Sequence, residues 1–219
     1  MNIEVLWLQN NLGWIVQLTL SHLYLSVIPI LIGLAISLPL GWLAHRFHGF
    51  LPVVVAGSSL LYTIPSLAFF VLMPVLIGTK ILDPVNVVIA LTVYTVALLV
   101  RTVADGLDSV PEDAVQAATG MGYNAFQRLV HVQLPVAVPV IGAGLRVAVV
   151  SNVSIVAIAV LVGIPQLGSL FLSGLQLRQF LPVVLGIVLC ALIALLLDGI
   201  IQVSIRRLTP WATRDGAAS

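Results

Sequence analysis

The sequence predicts an all-α integral membrane protein of about five transmembrane helices, and three observations predict it. Only 8% of the 219 residues are charged and 60% are hydrophobic, against about 25% charged in soluble domains. Five stretches with little or no charge are each long enough to cross a hydrocarbon layer roughly 30 Å thick. That crossing takes about 20 residues of helix, because backbone groups left unpaired in lipid cost several kcal/mol each. Four of the eight acidic residues, Asp105, Asp108, Glu112 and Asp113, fall in one long internal connection between these stretches. A net charge of +1 provides no clustered basic surface, which excludes nucleic acid as an expected partner.

Residues 1–20 read as an N-terminal interfacial helix. Trp7 and Trp14 flank Gln9, Asn10 and Asn11, and Gln17 follows, the pattern of a helix lying on the membrane rather than crossing it. Glu4 is the only early charge and no basic stretch precedes the apolar run, so no cleaved signal is expected. Spans follow at 21–44, 53–77, 84–100, 136–162 and 181–204, the fourth carrying Arg146. Residues 21–208 are expected to form a single transmembrane domain, with 209–219 as a frayed tail.

Short loops rich in Lys and Arg stay in the cytoplasm. One side collects Arg46, Arg101, Arg128, Arg206, Arg207 and Arg214, and the other only Lys80 and Arg178. The N-terminus is therefore expected outside and the C-terminus in the cytoplasm. On this reading 46–52 is a short cytoplasmic turn, 78–83 a short external one, and 164–180 an external loop holding Gly168 and Gly174. The long cytoplasmic connection runs over 101–135 and gathers Asp105, Asp108, Glu112, Asp113 and Arg128.

Inside that connection the residues spell a short helix. Ser109 is a candidate cap, Pro111 suits a first turn, and Glu112 and Asp113 complement the positive helix end. Ala114, Val115, Ala117, Ala118 and Met121 follow as small or apolar surface, and Gly120 and Gly122 can end the helix. Pro135 is expected to break the backbone before the fourth span. Periodicity alone leaves open a solvated linker helix with no further role.

Gln116-Ala117-Ala118, then Gly122, then Val132-Gln133-Leu134-Pro135 resembles the EAA loop of binding-protein-dependent ABC transporter permeases. Gly122 stands six positions after Gln116 and Val132 ten after Gly122, as in that pattern. The resemblance implies that this stretch, about 105–135, is a cytoplasmic coupling helix seated in a groove of an ATPase subunit. Pro111, Glu112, Asp113, Gln116, Ala117, Ala118, Gly120, Gly122, Leu134 and Pro135 would be its working residues. Gln116 stands where the family carries glutamate, so shape and apolar contact are expected to hold the docking. Tyr62-Thr63-Ile64-Pro65-Ser66-Leu67-Ala68, Ile141-Gly142-Ala143-Gly144-Leu145-Arg146 and Gly174-Leu175-Gln176-Leu177 are similar to permeases for glycine betaine, choline and carnitine. Residues 162–168 depart from the glycine-richer stretch of those relatives.

What the resemblance implies is a subunit that does not hydrolyse ATP. Its partners would be two ATPase subunits, a second permease chain, identical or paralogous, and an external solute-binding protein. No cofactor is expected on this chain; ATP and magnesium would sit on the partner ATPase. The expected place is a prokaryotic inner membrane.

Polar residues within the spans are candidates for the pathway, since such groups seldom face lipid. Pro65 removes a backbone hydrogen bond in mid-span, and the hydroxyls of Thr63 and Ser66 can serve the freed carbonyls. Ser151, Asn152 and Ser154 form a second polar patch, facing either a pore or a neighbouring helix. Arg146 and Asp198 lie at comparable depths and are expected to pair. Cys190, alone in an apolar run, is expected to be packing, and His22, His45, His48 and His131 to sit near interfaces without further purpose. No Trp or Tyr cluster is expected at mid-membrane depth, which leaves cargo selection to the binding protein. No phosphate-cradling loop, HExxH, GxSxG or Cys/His ligand cluster occurs, so neither catalysis nor a metal is expected. An ion-coupled transporter or channel, and an importer subunit for another small solute such as an amino acid, are the alternatives.

Overall fold

The computed structural model describes residues 3–47, 49 and 51–211, with side chains from Leu6 onward. Glu4, His48, Arg214 and most of the 209–219 tail lie outside the described side chains. Nine α-helices account for most of the described chain: α1 (Ile3–Arg46), α2 (Leu51–Thr63), α3 (Ser66–Ile77), α4 (Pro84–Asp108), α5 (Glu112–Gly120), α6 (Ala125–Arg128), α7 (Leu134–Val156), α8 (Gly168–Leu177) and α9 (Phe180–Leu208). A π-helical turn, Leu129–Gln133, joins α6 to α7, and a 3-10 segment, Ala157–Val162, extends α7. Four helical runs in the described residues are long and apolar enough to cross a membrane, and α2 with α3 makes a fifth if the pair is one broken span. This is the number of spans read from composition and length.

Four boundaries differ from the sequence reading. The N-terminal segment is not separate from the first span, because α1 continues unbroken for 44 residues, about 66 Å at 1.5 Å per residue. Its early residues Trp7, Leu8, Ile15 and Leu18 pack against Val153, Leu167, Leu170 and Ile193, and burial of that face outweighs the polar cluster of Gln9, Asn10 and Asn11. The second span is interrupted at Pro65 and not merely kinked there: α2 ends at Thr63 and α3 begins at Ser66. Pro65 takes an extended ψ of 132° and its carbonyl accepts the Phe69 N–H at 3.1 Å to start α3. The 164–180 loop holds the ten-residue helix α8.

Pro135 breaks nothing: the chain is helical from Ala125 to Val162. The π-helical turn just before it supplies the reason. The Leu134 N–H reaches back five residues to the Leu129 carbonyl, and this wider turn relieves the clash that a proline ring makes with the carbonyl four residues earlier.

The contacts gather into two compact units. One draws on α1 up to Ile32, on Ile64–Val93 and on Val149–Leu197; the other on Gly33–Thr63, Tyr94–Ala148 and the chain from Asp198. The first unit is built around Ile15, Leu18, Val153, Leu167, Leu170 and Ile193. Its tightest approach is at Gly168, where a Cβ would lie 2.1 Å from the Ala157 carbonyl oxygen. A backbone atom cannot rotate away, so Gly168→Ala is expected to cost about 1–3 kcal/mol and to lower the unfolding temperature of the detergent-solubilised protein. Gly49→Ala, with open space around it, serves as the comparison.

The second unit is built around Val103, Leu107, Val110, Leu129, Ala137 and Ile141, with Leu34, Leu38, Trp42, Val115 and Leu134 against them. Small residues bring its helices close, as in other membrane bundles. A Cβ on Gly142 would meet Ile205 and one on Gly144 would meet Thr102, both below 3 Å.

Candidate functional site

Hydrogen bonds tie the connection between α4 and α7 at each of its turns. Three residues, 109–111, join α4 to α5. The Ser109 hydroxyl donates to the Gly106 carbonyl at 2.7 Å, which corrects its expected role: the N-cap position of α5 belongs to Pro111, without a side-chain cap. Glu112 and Asp113 occupy the first turn, and the Gln116 amide donates to Glu112 Oε1 at 3.3 Å.

The far end of α5 closes in a Schellman arrangement. The Tyr123 N–H donates to the Ala118 carbonyl at 3.1 Å and the Gly122 N–H to that of Thr119 at 3.0 Å. Gly122 sits at φ +85°, a conformation that glycine adopts without steric penalty. Asn124 then opens α6 with a reciprocal capping box, its side chain accepting the Gln127 N–H at 2.9 Å while the Gln127 side chain accepts the Asn124 N–H at 2.9 Å. Arg128 donates to the Thr119 hydroxyl at 3.2 Å and to the Tyr123 carbonyl at 3.4 Å. At the base, His45 Nδ1 lies 2.5 Å from Asp108 Oδ1.

Burial divides the ten residues expected to work here. Ala118 is fully buried, and Leu134 packs with Val115 against the core of this unit. Pro111, Glu112, Asp113, Gln116, Ala117, Gly120 and Gly122 are exposed, and Pro135 is half-buried. Two apolar side chains enlarge the exposed surface: Met121 at 68% and Phe126 at 67% exposure. Phe126 was not legible as a site residue. Its signal is a large apolar side chain in the polar run Tyr123-Asn124-Ala125-Phe126-Gln127-Arg128.

Deeper in the same unit, Arg146 and Asp198 meet side-on. Arg146 Nε donates to Asp198 Oδ1 at 2.6 Å and an Nη donates to Oδ2 at 2.8 Å, the bidentate geometry that makes such pairs strong and directional. The preceding Gly142 and Gly144 let α7 approach Ile205 and Thr102, so the glycines of the 141–146 motif prepare the contact that its arginine makes.

The remaining candidates differ in exposure. Asn152 is buried, Ser151 half-buried and Ser154 exposed, and the Ser154 hydroxyl donates to the Val150 carbonyl of its own helix at 3.1 Å. The Thr63 hydroxyl likewise donates to the Ser59 carbonyl at 3.0 Å. Thr63 and Pro65 are exposed and Ser66 half-buried.

Two constellations escaped the sequence reading. The first centres on His22, for which no purpose was expected and which is fully buried and tied to two partners. Its Nδ1 lies 3.2 Å from Gln166 Oε1 and its Nε2 3.1 Å from the Val153 carbonyl oxygen. The Gln166 amide cannot be turned round, because Oε1 also accepts the Gly168 N–H at 2.5 Å and Nε2 donates to the Ala157 carbonyl at 3.0 Å. The ring thus anchors α1 to the segment before α8, and Cys190, whose Sγ is 4.0 Å from Nε2, packs beside it. Gln166 in an otherwise apolar stretch was the available signal. The second constellation is a tyrosine pair where none was expected: the Tyr62 and Tyr94 rings lie edge to face, with centroids 5.7 Å apart and planes at 74°.

Comparison with known proteins finds relatives over nearly the whole chain. The family described as binding-protein-dependent transport system inner membrane component matches residues 37–210. The osmoprotectant import permease protein OsmW of Salmonella typhimurium is 35% identical over 211 residues, covering 95% of this chain and 98% of that protein. The glycine betaine/carnitine/choline transport system permease protein OpuCB of Bacillus subtilis is 28% identical, with 96% and 95% covered. Among solved structures, an inward-facing MetNI methionine ABC transporter matches with a TM-score of 0.81 at 22% identity, covering 95% of this chain and all of that one. An amino acid ABC transporter structure matches at 0.76 and 18% identity, with 94% of this chain and all of the other covered.

Proposed function

The chain belongs to the binding-protein-dependent transport system inner membrane component family, and we propose that it is the permease subunit of an ABC importer for small quaternary ammonium osmoprotectants. The observation that carries this reading is the construction of α5. Its inner face, Val115 and Ala118, is held in the core of its unit, and its outer face presents Gln116, Ala117, Met121 and, beyond it, Phe126. A short helix seated in a partner and tied by tight turns to two long helices passes displacement on instead of absorbing it.

In this reading α5 docks on an ATPase subunit in the cytoplasm, and closure of two such subunits moves α4 and α7 through the 109–111 and 121–124 connections. A second permease chain, identical or paralogous, completes the pathway, and a solute-binding protein delivers cargo from outside. The N-terminus lies outside, in keeping with six basic residues against two in the loops. ATP and magnesium belong to the partner ATPase. The cargo class follows from relatives named for osmoprotectants, glycine betaine, carnitine and choline.

The ion-coupled alternative needs a carboxylate at membrane depth that is available to the ion. Asp198 is engaged by Arg146 through both oxygens, which weighs against it. Purification from the native membrane tests the proposal: an ATPase subunit is expected to copurify. In vesicles, betaine or choline uptake is expected to stop when ATP is depleted with ion gradients intact. Uptake that persists without ATP overturns it.

A further inference from the structure

Neither the docking helix nor the charge pair accounts for Tyr62 and Tyr94. Tyr62 stands eleven residues into α2 and Tyr94 ten into α4, about 16 and 15 Å along their helices, or roughly half of a 30 Å hydrocarbon core. Tyrosine ordinarily collects at the membrane surface, where its hydroxyl meets water. Tyr62 is nevertheless 44% exposed in this chain, with Tyr94 at 4% behind it.

The surroundings say what such a ring can face. Among the described residues none of α2 is buried, and Ser58, Ser59, Tyr62 and Thr63 fall within about 140° of its circumference at 100° per residue. The helix then ends at Thr63, so its last carbonyls have no helical donors. The Ser59 and Thr63 hydroxyls are spent on carbonyls of their own helix, but the open carbonyls at its end are tolerated only where they border protein or a water-filled cavity.

The charge chemistry narrows the occupant. Asp198, the carboxylate deepest in apolar sequence, is already bonded to Arg146 through both oxygens. A quaternary ammonium group has no N–H to donate and spreads its charge over methyl groups, so it is recognised by the electron-rich face of an aromatic ring without a carboxylate. The edge of one ring against the face of the other fixes the pair. A single exposed ring also holds a cation weakly, as a site on a pathway must in order to release it.

We propose that Tyr62, backed by Tyr94, forms a transient cation–π subsite for the quaternary ammonium group of the cargo during passage. This rests on the importer reading above and adds a selecting element within the membrane chain itself. Tyr62 is the residue that touches cargo, and Tyr94 positions it.

The test uses the complete transporter in proteoliposomes, with its binding protein outside and ATP inside, and follows radiolabelled choline and glycine betaine. Tyr62→Phe and Tyr62→Trp are expected to retain uptake within about twofold, and Tyr62→Leu to lose roughly tenfold. Phenylalanine analogues with one, two and three ring fluorines at position 62 keep the ring volume while draining its face. Uptake is expected to fall stepwise along that series, with complex assembly and ATP hydrolysis unchanged. A flat fluorine series, or Tyr62→Leu equal to Tyr62→Phe, overturns the subsite and leaves the importer reading standing. A wild-type transporter that moves neither cation overturns both.

Discussion

Ala117→Glu is expected to bring ATP-driven uptake to background while the chain remains folded in the membrane. Ala117 is exposed on α5, so a glutamate there meets solvent in the free subunit, and its helix propensity is good. In a docked complex the same side chain would push a charge into the contact that α5 makes, one turn before the exposed Met121. A buried, unpaired charge opposes association strongly, and loss of at least about a hundredfold in coupling follows from such a penalty. Phe126→Asp, at the exposed apolar side chain of α6, is expected to act in the same direction.

Ala118→Glu supplies the contrast. Ala118 is fully buried and its carbonyl closes the Schellman turn, so this change is expected to reduce folded protein, not only coupling. The measurements are uptake, copurification of the ATPase, and the monodisperse fraction in size-exclusion chromatography. If Ala117→Glu keeps both uptake and ATPase docking, the coupling surface lies elsewhere.

Arg146→Ala and Asp198→Ala are each expected to cut the yield of folded, membrane-integrated protein by about tenfold, because each leaves a charge in apolar surroundings without its partner. The double change to leucine is expected to recover more than either single change, since removing both members also removes the cost of desolvating them. Exchanging the two, Arg146→Asp with Asp198→Arg, is expected to restore part of the yield. A swap no better than the singles would mean that the bidentate contact does not hold α7 to α9. Thermal unfolding in detergent and quantitative membrane blots read both outcomes.

Much of the connection between α4 and α6 was legible residue by residue. Glu112 and Asp113 marked a helix start and Gly122 its end, because helix ends are governed by a handful of neighbouring residues. The inward roles of Ala118 and Leu134 were not legible, since small and apolar residues look alike until a core is built against them. Prolines were the least readable signal. Pro29 and Pro39 lie inside an unbroken α1 and Pro135 near the start of α7, whereas Pro65 ends a helix. The difference lies in what the surrounding chain does with the freed backbone groups, as the π-helical turn before Pro135 illustrates.

The sequence by itself determined that this protein lives in a membrane, roughly how many spans it has and which connection carries a helix with a tight glycine end. Those features are local: a span must satisfy its own backbone hydrogen bonds within about 20 residues, and a cap acts within one turn. Only the tertiary structure decided that Arg146 meets Asp198, that His22 is locked by Gln166 and that Tyr62 lies on Tyr94. The partners in those contacts are 52 and 144 residues apart in the first two cases. Which of several polar groups at one depth meets another is set by the rotation and close approach of packed helices, and no local pattern records that.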